Sequence, residues 1–119
     1  MSNGGKMEHV MFVQKVREDK KEEYIRFHKE AWRELLIEAK KAGFERQILW
    51  LSGNYVLIYS MAENFDESIA KLTQTDTHKK WQSIMDTLLE EAQDFSESGK
   101  VIKLEKIYDL EEQISQYIL

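Results

Sequence analysis

Two runs of aromatic and branched residues, Phe44 to Leu51 and Tyr55 to Met61, are separated only by Ser52-Gly53-Asn54. This pairing restricts the fold more than any other feature of the chain. Gly53 can take the positive φ that tight hairpin loops need, so the two runs read as adjacent antiparallel strands. An isolated hairpin is barely stable, and further strands or helices have to cover its apolar side. The flanking sequence supplies them. His9 to Val16 (HVMFVQKV) is short, apolar and rich in valine, as a strand would be. From Lys20 to Lys41, apolar residues at Tyr24, Ile25, Ala31, Trp32, Leu35, Leu36 and Ala39 follow the three-and-four spacing of one long amphipathic helix, which Gly43 stops. After the hairpin, Asp66 can cap a short helix through Leu72. An interruption near Thr73 to Asp76 follows, and then Trp81, Ile84, Met85, Leu88, Leu89 and Ala92 form a second apolar stripe. Ser96-Glu97-Ser98-Gly99 reads as a loop, and Val101 to Tyr108 as a last, half-exposed strand. The order β-α-β-β-α-β predicts an α+β fold in which two helices cover one face of a four-stranded antiparallel sheet.

That arrangement leaves a surface unaccounted for. The strands carry large apolar groups on both parities: Phe12 beside Val13, Ile58 beside Tyr59, Leu49 beside Trp50. The second sheet face therefore needs a cover, which a homodimer or a pocket closed by a partner would supply. Leu110, Ile114, Tyr117 and Ile118 fall at helical spacing in the tail, and so short a helix needs something to pack on. With 119 residues, 42% of them hydrophobic, the chain is expected to be a single domain, 1–119, with a flexible start over 1–8 and a C-terminal tail over 110–119.

Composition removes several functions. There is no cysteine, so thiol chemistry, disulfides and zinc knuckles are excluded. A formal net charge of −5 is the wrong sign for a nucleic-acid partner. Apolar runs such as Ile48-Leu49-Trp50-Leu51 are far short of the roughly 18 residues of a membrane span. Met1 to Glu8 lacks the apolar stretch of a secretory signal, and a cytoplasmic location is expected.

Chemistry is concentrated in two places. Tyr24, His28 and Trp32 stand at i, i+4 and i+8, so they are expected to project from one face of the first helix in a row, with the histidine inside the apolar stripe. Such a histidine is either a core residue satisfied by backbone or carboxylate, or an acid–base group able to give and take a proton near neutrality. His9 and His78 lie on other elements, and no His-x-x-x-His or Glu-x-x-His spacing exists, so no metal site is expected. Trp81 opens the second stripe and is either a core anchor or an apolar platform for a ligand.

The motifs Glu22-Glu23-Tyr24-x-x-x-His28-x-x-x-Trp32-Arg33-Glu34-Leu35 and Thr75-Asp76-Thr77-His78-Lys79-Lys80-Trp81-Gln82 together resemble the L-rhamnose mutarotase family. The family pattern is Glu-Glu-Tyr-x-x-x-His-x-x-x-Trp-x-Glu-Leu, followed later by Thr-Asp and a Trp-Trp pair. The resemblance runs from about Met11 to Leu110. It implies a ferredoxin-like, dimeric α+β barrel that interconverts the anomers of L-rhamnose with neither cofactor nor metal. By that resemblance His28 is the catalytic proton donor, and Tyr24, Gln47, Trp81 and Gln82 contact the sugar, with Trp32 beside them. Gln47 stands where the family has a tyrosine and Gln82 where it has the second tryptophan, which widens the expected substrate to L-fucose and other 6-deoxyhexoses. The rival reading is a dimeric α+β barrel of another function, a ligand-binding module or a cofactor-free monooxygenase.

Overall fold

The computed structural model describes residues 6–91 and 101–117. Strand β1 (Glu8–Lys15) leads through a 3-10 turn at Glu18–Lys20 into helices α1 (Lys21–Lys29) and α2 (Arg33–Ala42). The hairpin β2 (Phe44–Ser52) and β3 (Tyr55–Ala62) follows, then α3 (Phe65–Thr73), α4 (Asp76–Leu88), the short β4 (Ile102–Leu104) and α5 (Leu110–Ser115). The sheet order is β2-β3-β1-β4, antiparallel throughout, as the β-α-β-β-α-β reading predicts.

The hairpin turn is shorter than expected, because Ser52 already pairs with Tyr55 and only Gly53 and Asn54 remain in the loop. Gly53 has φ +60° and no non-glycine residue among those described has positive φ, which is the pattern of a II′ turn with glycine in the first position. At the other end of β2 the register shifts between Phe44 and Arg46. This bulge decides which way the strand's side chains face. Phe44 lies opposite Ala62 on the helix-covered side, and strict alternation would send Gln47 to the other face. The extra residue Glu45 restores Gln47 to the helix side, opposite the fully buried Ser60.

The long first helix is broken. Glu30 leaves helical geometry at φ −119°, ψ 43°, and Trp32 is extended at φ −66°, ψ 134°. Neither glycine nor proline causes the break. The two halves have different neighbours: α1 packs on α4, while α2 packs on α3 and α4. A single straight helix could not satisfy both, so tertiary packing overrides local propensity. Gly43 ends α2 as expected, with φ +116° and its N–H directed to the Ala39 and Lys40 carbonyls. The cap of α3 is Asn64, whose side chain accepts from the Glu67 N–H, and Asp66 lies inside the helix instead. Thr75 separates α3 from α4 and caps α4 by accepting from the His78 N–H at 3.1 Å. Leu89 leaves the helix and forms an isolated bridge to Val16.

Helix packing buries Val10, Phe12, Val56, Ile58, Phe65, Leu72, Trp81, Met85 and Leu88 in one core between sheet and helices. The opposite sheet face is open. Val13 is 54% and Trp50 52% exposed, and Tyr55, Ile102 and Leu104 are exposed on the same side. The last strand is shorter than the expected Val101 to Tyr108. Leu104 pairs with His9, so β1 runs out of partner one residue later, and Ile107 is left 88% exposed. Helix α5 is capped by Asp109, which accepts from the Glu111 and Glu112 N–H groups, and buries none of its residues. The expected flexible residues Ser2 to Gly5, the stripe residue Ala92, the loop Ser96 to Gly99 and the tail residue Ile118 lie outside the described residues.

Candidate active site

A cavity of about 490 Å³ opens between the helix-covered sheet face and the helices. Phe12, Leu49, Val56 and Ile58 form its floor. Tyr24 and His28 come from α1, and His78, Trp81, Gln82 and Met85 from α4. The four α4 residues stand at i, i+3, i+4 and i+7, one face of a helix.

Tyr24 and His28 lie one turn apart, with ring centroids 4.3 Å apart and the ring planes tilted by 36°. The His28 Nδ1–H donates to the Tyr24 carbonyl at 2.9 Å. A carbonyl can only accept, so the neutral ring carries its proton on Nδ1 and its lone pair on Nε2. Burial lowers the pKa of His28 below the ordinary histidine value, more than the carbonyl contact raises it. The imidazole is therefore neutral at pH 7, with Nε2 able to accept a proton. Tyr24, 5% exposed, has its phenol pushed well above the usual value by burial. It stays protonated and can hold a hydroxyl, but it is a poor acceptor for the complementary proton.

Trp81, 7% exposed, is the centre of an aromatic cluster. His28 and Trp32 each meet it edge to face at 5.2 Å, and Phe27 does so at 6.0 Å. The break after α1 takes Trp32 out of the expected row. It stands outside the lining of the large cavity and borders a smaller hollow with Arg33, Glu34, Thr77 and Lys80. Trp32 thus backs Trp81 and is not brought to the large cavity with Tyr24 and His28.

Both glutamines line the cavity. Gln47 Nε2 donates to Ser60 Oγ at 3.1 Å, and Gln82 Nε2 donates to Asp86 Oδ1 at 2.8 Å. Each amide is thereby oriented by a protein acceptor, with its oxygen left as an acceptor for a ligand hydroxyl. His78, considered in the sequence only as a metal ligand, proves to be part of the wall. Its signal was available: it precedes Trp81 by three residues, which places both on one helical face. Among the described residues no group of three or more His, Asp or Glu side chains gathers as a metal cage.

Residues 9–110 match the family model described as L-rhamnose mutarotase. The chain belongs to the L-rhamnose mutarotase family. It is 28% identical over 100 residues to the L-rhamnose mutarotase of Clostridium beijerinckii, covering 83% of this chain and 94% of that protein. Among solved structures, the L-rhamnose mutarotase of Formosa agariphila superposes with a TM-score of 0.63 at 19% identity, over 86% of this chain and 97% of that one. An antibiotic biosynthesis monooxygenase superposes with a TM-score of 0.59 at 6% identity, over 87% and 100% of the two chains. At these identities the structural likenesses show a shared fold, and the mutarotase assignment rests on sequence. Of the motif residues, Tyr24, His28, Leu35, His78, Trp81 and Gln82 line the large cavity, while Trp32, Arg33, Glu34, Thr77 and Lys80 border the smaller hollow.

Proposed function

We propose that this mutarotase-family chain interconverts the α and β anomers of L-rhamnose or a closely related 6-deoxyhexose, with His28 as the proton carrier. The observation that supports this most is the His28 ring, with Nδ1–H tied to the Tyr24 carbonyl and its ring edge-to-face with Trp81 on the wall of a cavity large enough for a monosaccharide.

Ring opening moves one proton from the O1 hydroxyl to the ring oxygen O5. In the forward step His28 Nε2 takes the O1 proton, the O–H electron pair forms the C1=O1 bond, and the C1–O5 pair leaves with O5. The imidazolium then gives that proton to O5, so His28 acts as donor in the second half of the step and returns to its neutral form. Rotation about C1–C2 and the reverse sequence close the ring on the other face of the carbonyl. O1 and O5 share the carbon C1, so one imidazole nitrogen can serve both. Trp81 and the apolar floor suit the C–H face and C5 methyl of a 6-deoxy sugar, while Tyr24, Gln47 and Gln82 supply polar partners for its hydroxyls.

The active form in this reading is a cytoplasmic homodimer. The support is the open sheet face, where Val13, Trp50, Tyr55 and Ile102 remain exposed together and a second copy would cover them. The test is saturation-transfer NMR at the C1 proton with L-rhamnose, L-fucose and D-glucose. Enzyme-dependent exchange for a 6-deoxyhexose and little for glucose is the expected result. No enhancement for any of the three would overturn the reading.

A further inference from the structure

His78 is the buried titratable side chain on the cavity wall to which the reaction above gives no task. Its backbone N–H is held by Thr75 Oγ1 at 3.1 Å, which fixes the first turn of α4 and the direction in which the side chain leaves it. The side chain is 8% exposed and lines the cavity with Trp81, Gln82 and Met85. Among the described residues its ring nitrogens make no hydrogen bond to the protein, and the side-chain contact it has is to its backbone N–H, from Thr75. Buried polar groups are as a rule hydrogen-bonded, and an imidazole always has at least one N–H to place. The open space beside His78 is the cavity that it lines.

We propose that His78 is a second catalytic residue, whose imidazole N–H donates a hydrogen bond to O5 of the sugar as the C1–O5 bond opens. This rests on the mutarotase reading and deepens it. No proton changes hands at His78. The proton still travels from O1 through His28 to O5, and His78 stabilises the negative charge that gathers on O5 before that proton arrives. A preorganised donor in a site with little water is the kind of group that lowers such a barrier. Burial lowers the pKa of His78, with no opposing contact, so the ring is the neutral form. A neutral ring neither repels the imidazolium that His28 becomes nor competes with it for the proton.

Two measurements test this. In the first, imidazole ring nitrogen and carbon signals of isotopically labelled wild-type protein are followed during titration with L-rhamnose and L-fucose, with the His78 signals assigned by their loss in His78→Phe. The His78 donor nitrogen is expected to shift on saturation while the His9 signals stay. In the second, anomer exchange is compared for wild type, His78→Phe and His78→Gln. The Phe variant keeps the ring volume without a donor, and kcat is expected to drop roughly 10²-fold with KM changed only a few-fold. The Gln variant keeps an N–H and is expected to recover part of that loss. A folded Phe variant with kcat within threefold of wild type, or an unmoved His78 ring in sugar-saturated wild type, would overturn the proposal and leave His28 in place. If the Phe variant does not fold, the wild-type ring titration decides alone, with the assignment taken from His78→Gln. Wild type that neither binds nor exchanges a 6-deoxyhexose would instead defeat the mutarotase reading itself, and His78 with it.

Discussion

Replacing His28 with alanine separates catalysis from folding, because the structure makes the two losses very different in size. The variant loses one Nδ1–H···O=C bond of 2.9 Å to Tyr24, worth about 1 kcal/mol net. It also loses ring contacts with Tyr24 and Trp81, each about 0.5–1.5 kcal/mol. Against this, alanine is the better helix former by about 0.6 kcal/mol, and the desolvation of a half-buried imidazole disappears. The balance is a destabilisation of about 1–2 kcal/mol. For a chain of this size that is a fall in Tm of about 4–8 °C, which leaves nearly all molecules folded at 25 °C. The catalytic loss is larger. Positioned acid–base groups contribute about 10²- to 10⁴-fold, or about 2.7–5.5 kcal/mol of barrier. Exchange at the L-rhamnose C1 proton, measured by saturation transfer alongside circular dichroism, should therefore fall at least 100-fold in a protein whose spectrum is unchanged. Added imidazole should restore a measurable part of the rate, since it can enter the vacated space. A folded variant that exchanges within threefold of wild type would refute the proton-carrier role, whatever the fate of the family assignment.

Three further outcomes follow from named contacts. Gly43→Ala puts a Cβ at φ +116°, 2.6 Å from the Ser68 Oγ; the backbone strain costs about 1–2 kcal/mol, so chemical denaturation should show a lower midpoint at unchanged slope, and an unchanged midpoint would contradict it. His28 and His78 both have pKa values lowered below 6.5 by burial, so the unfolded chain binds their protons at a higher pH than the folded one. The stability they contribute is complete above pH 6.5 and is lost as the pH falls through their folded values; Tm should drop on acidification below 6.5, less steeply in His78→Phe, and a Tm independent of pH between 7 and 5 would be the contrary result. Val13→Glu sets like charges on the open sheet face, and two copies packed there should dissociate about 100-fold more readily; light scattering of a Val13→Glu sample that remains dimeric at wild-type concentrations would move the interface elsewhere.

The element order was legible because each part of it rests on local chemistry. The hairpin follows from Gly53 between two β-rich runs, the end of α2 from Gly43, and the start of α4 from Thr75 in front of the His78 N–H. The break at Glu30 to Trp32 was not legible, since those residues are as compatible with a helix as their neighbours. It arises because α1 and α2 lean on different partners, and partners exist only in the folded chain. The length of β4 is a similar case: Val101 to Tyr108 alternates as a strand does, but β1 begins at Glu8, and among the described residues no strand pairs with Lys106 or Tyr108.

The site shows the same division at the level of single side chains. Tyr24 and His28 are one helical turn apart, so their ring contact could be read from spacing, and the family motif named them. Trp32 could not be placed that way, because the spacing argument assumed the unbroken helix. Gln47 depended on a fact with no reliable sequence signature, the bulge at Glu45 that restores it to the helix side opposite Ser60. His78 is the opposite case, since its position three residues before Trp81 was enough to put it on the ligand face. What the sequence did not show was that its ring would lack a hydrogen-bond partner among the described residues. A satisfied histidine at that position would be one more core residue; an unsatisfied one, lining the same cavity as His28, gives that wall a second imidazole, and the proposed opening of a hemiacetal, with its charge divided between two oxygens on one carbon, is a reaction that could use both.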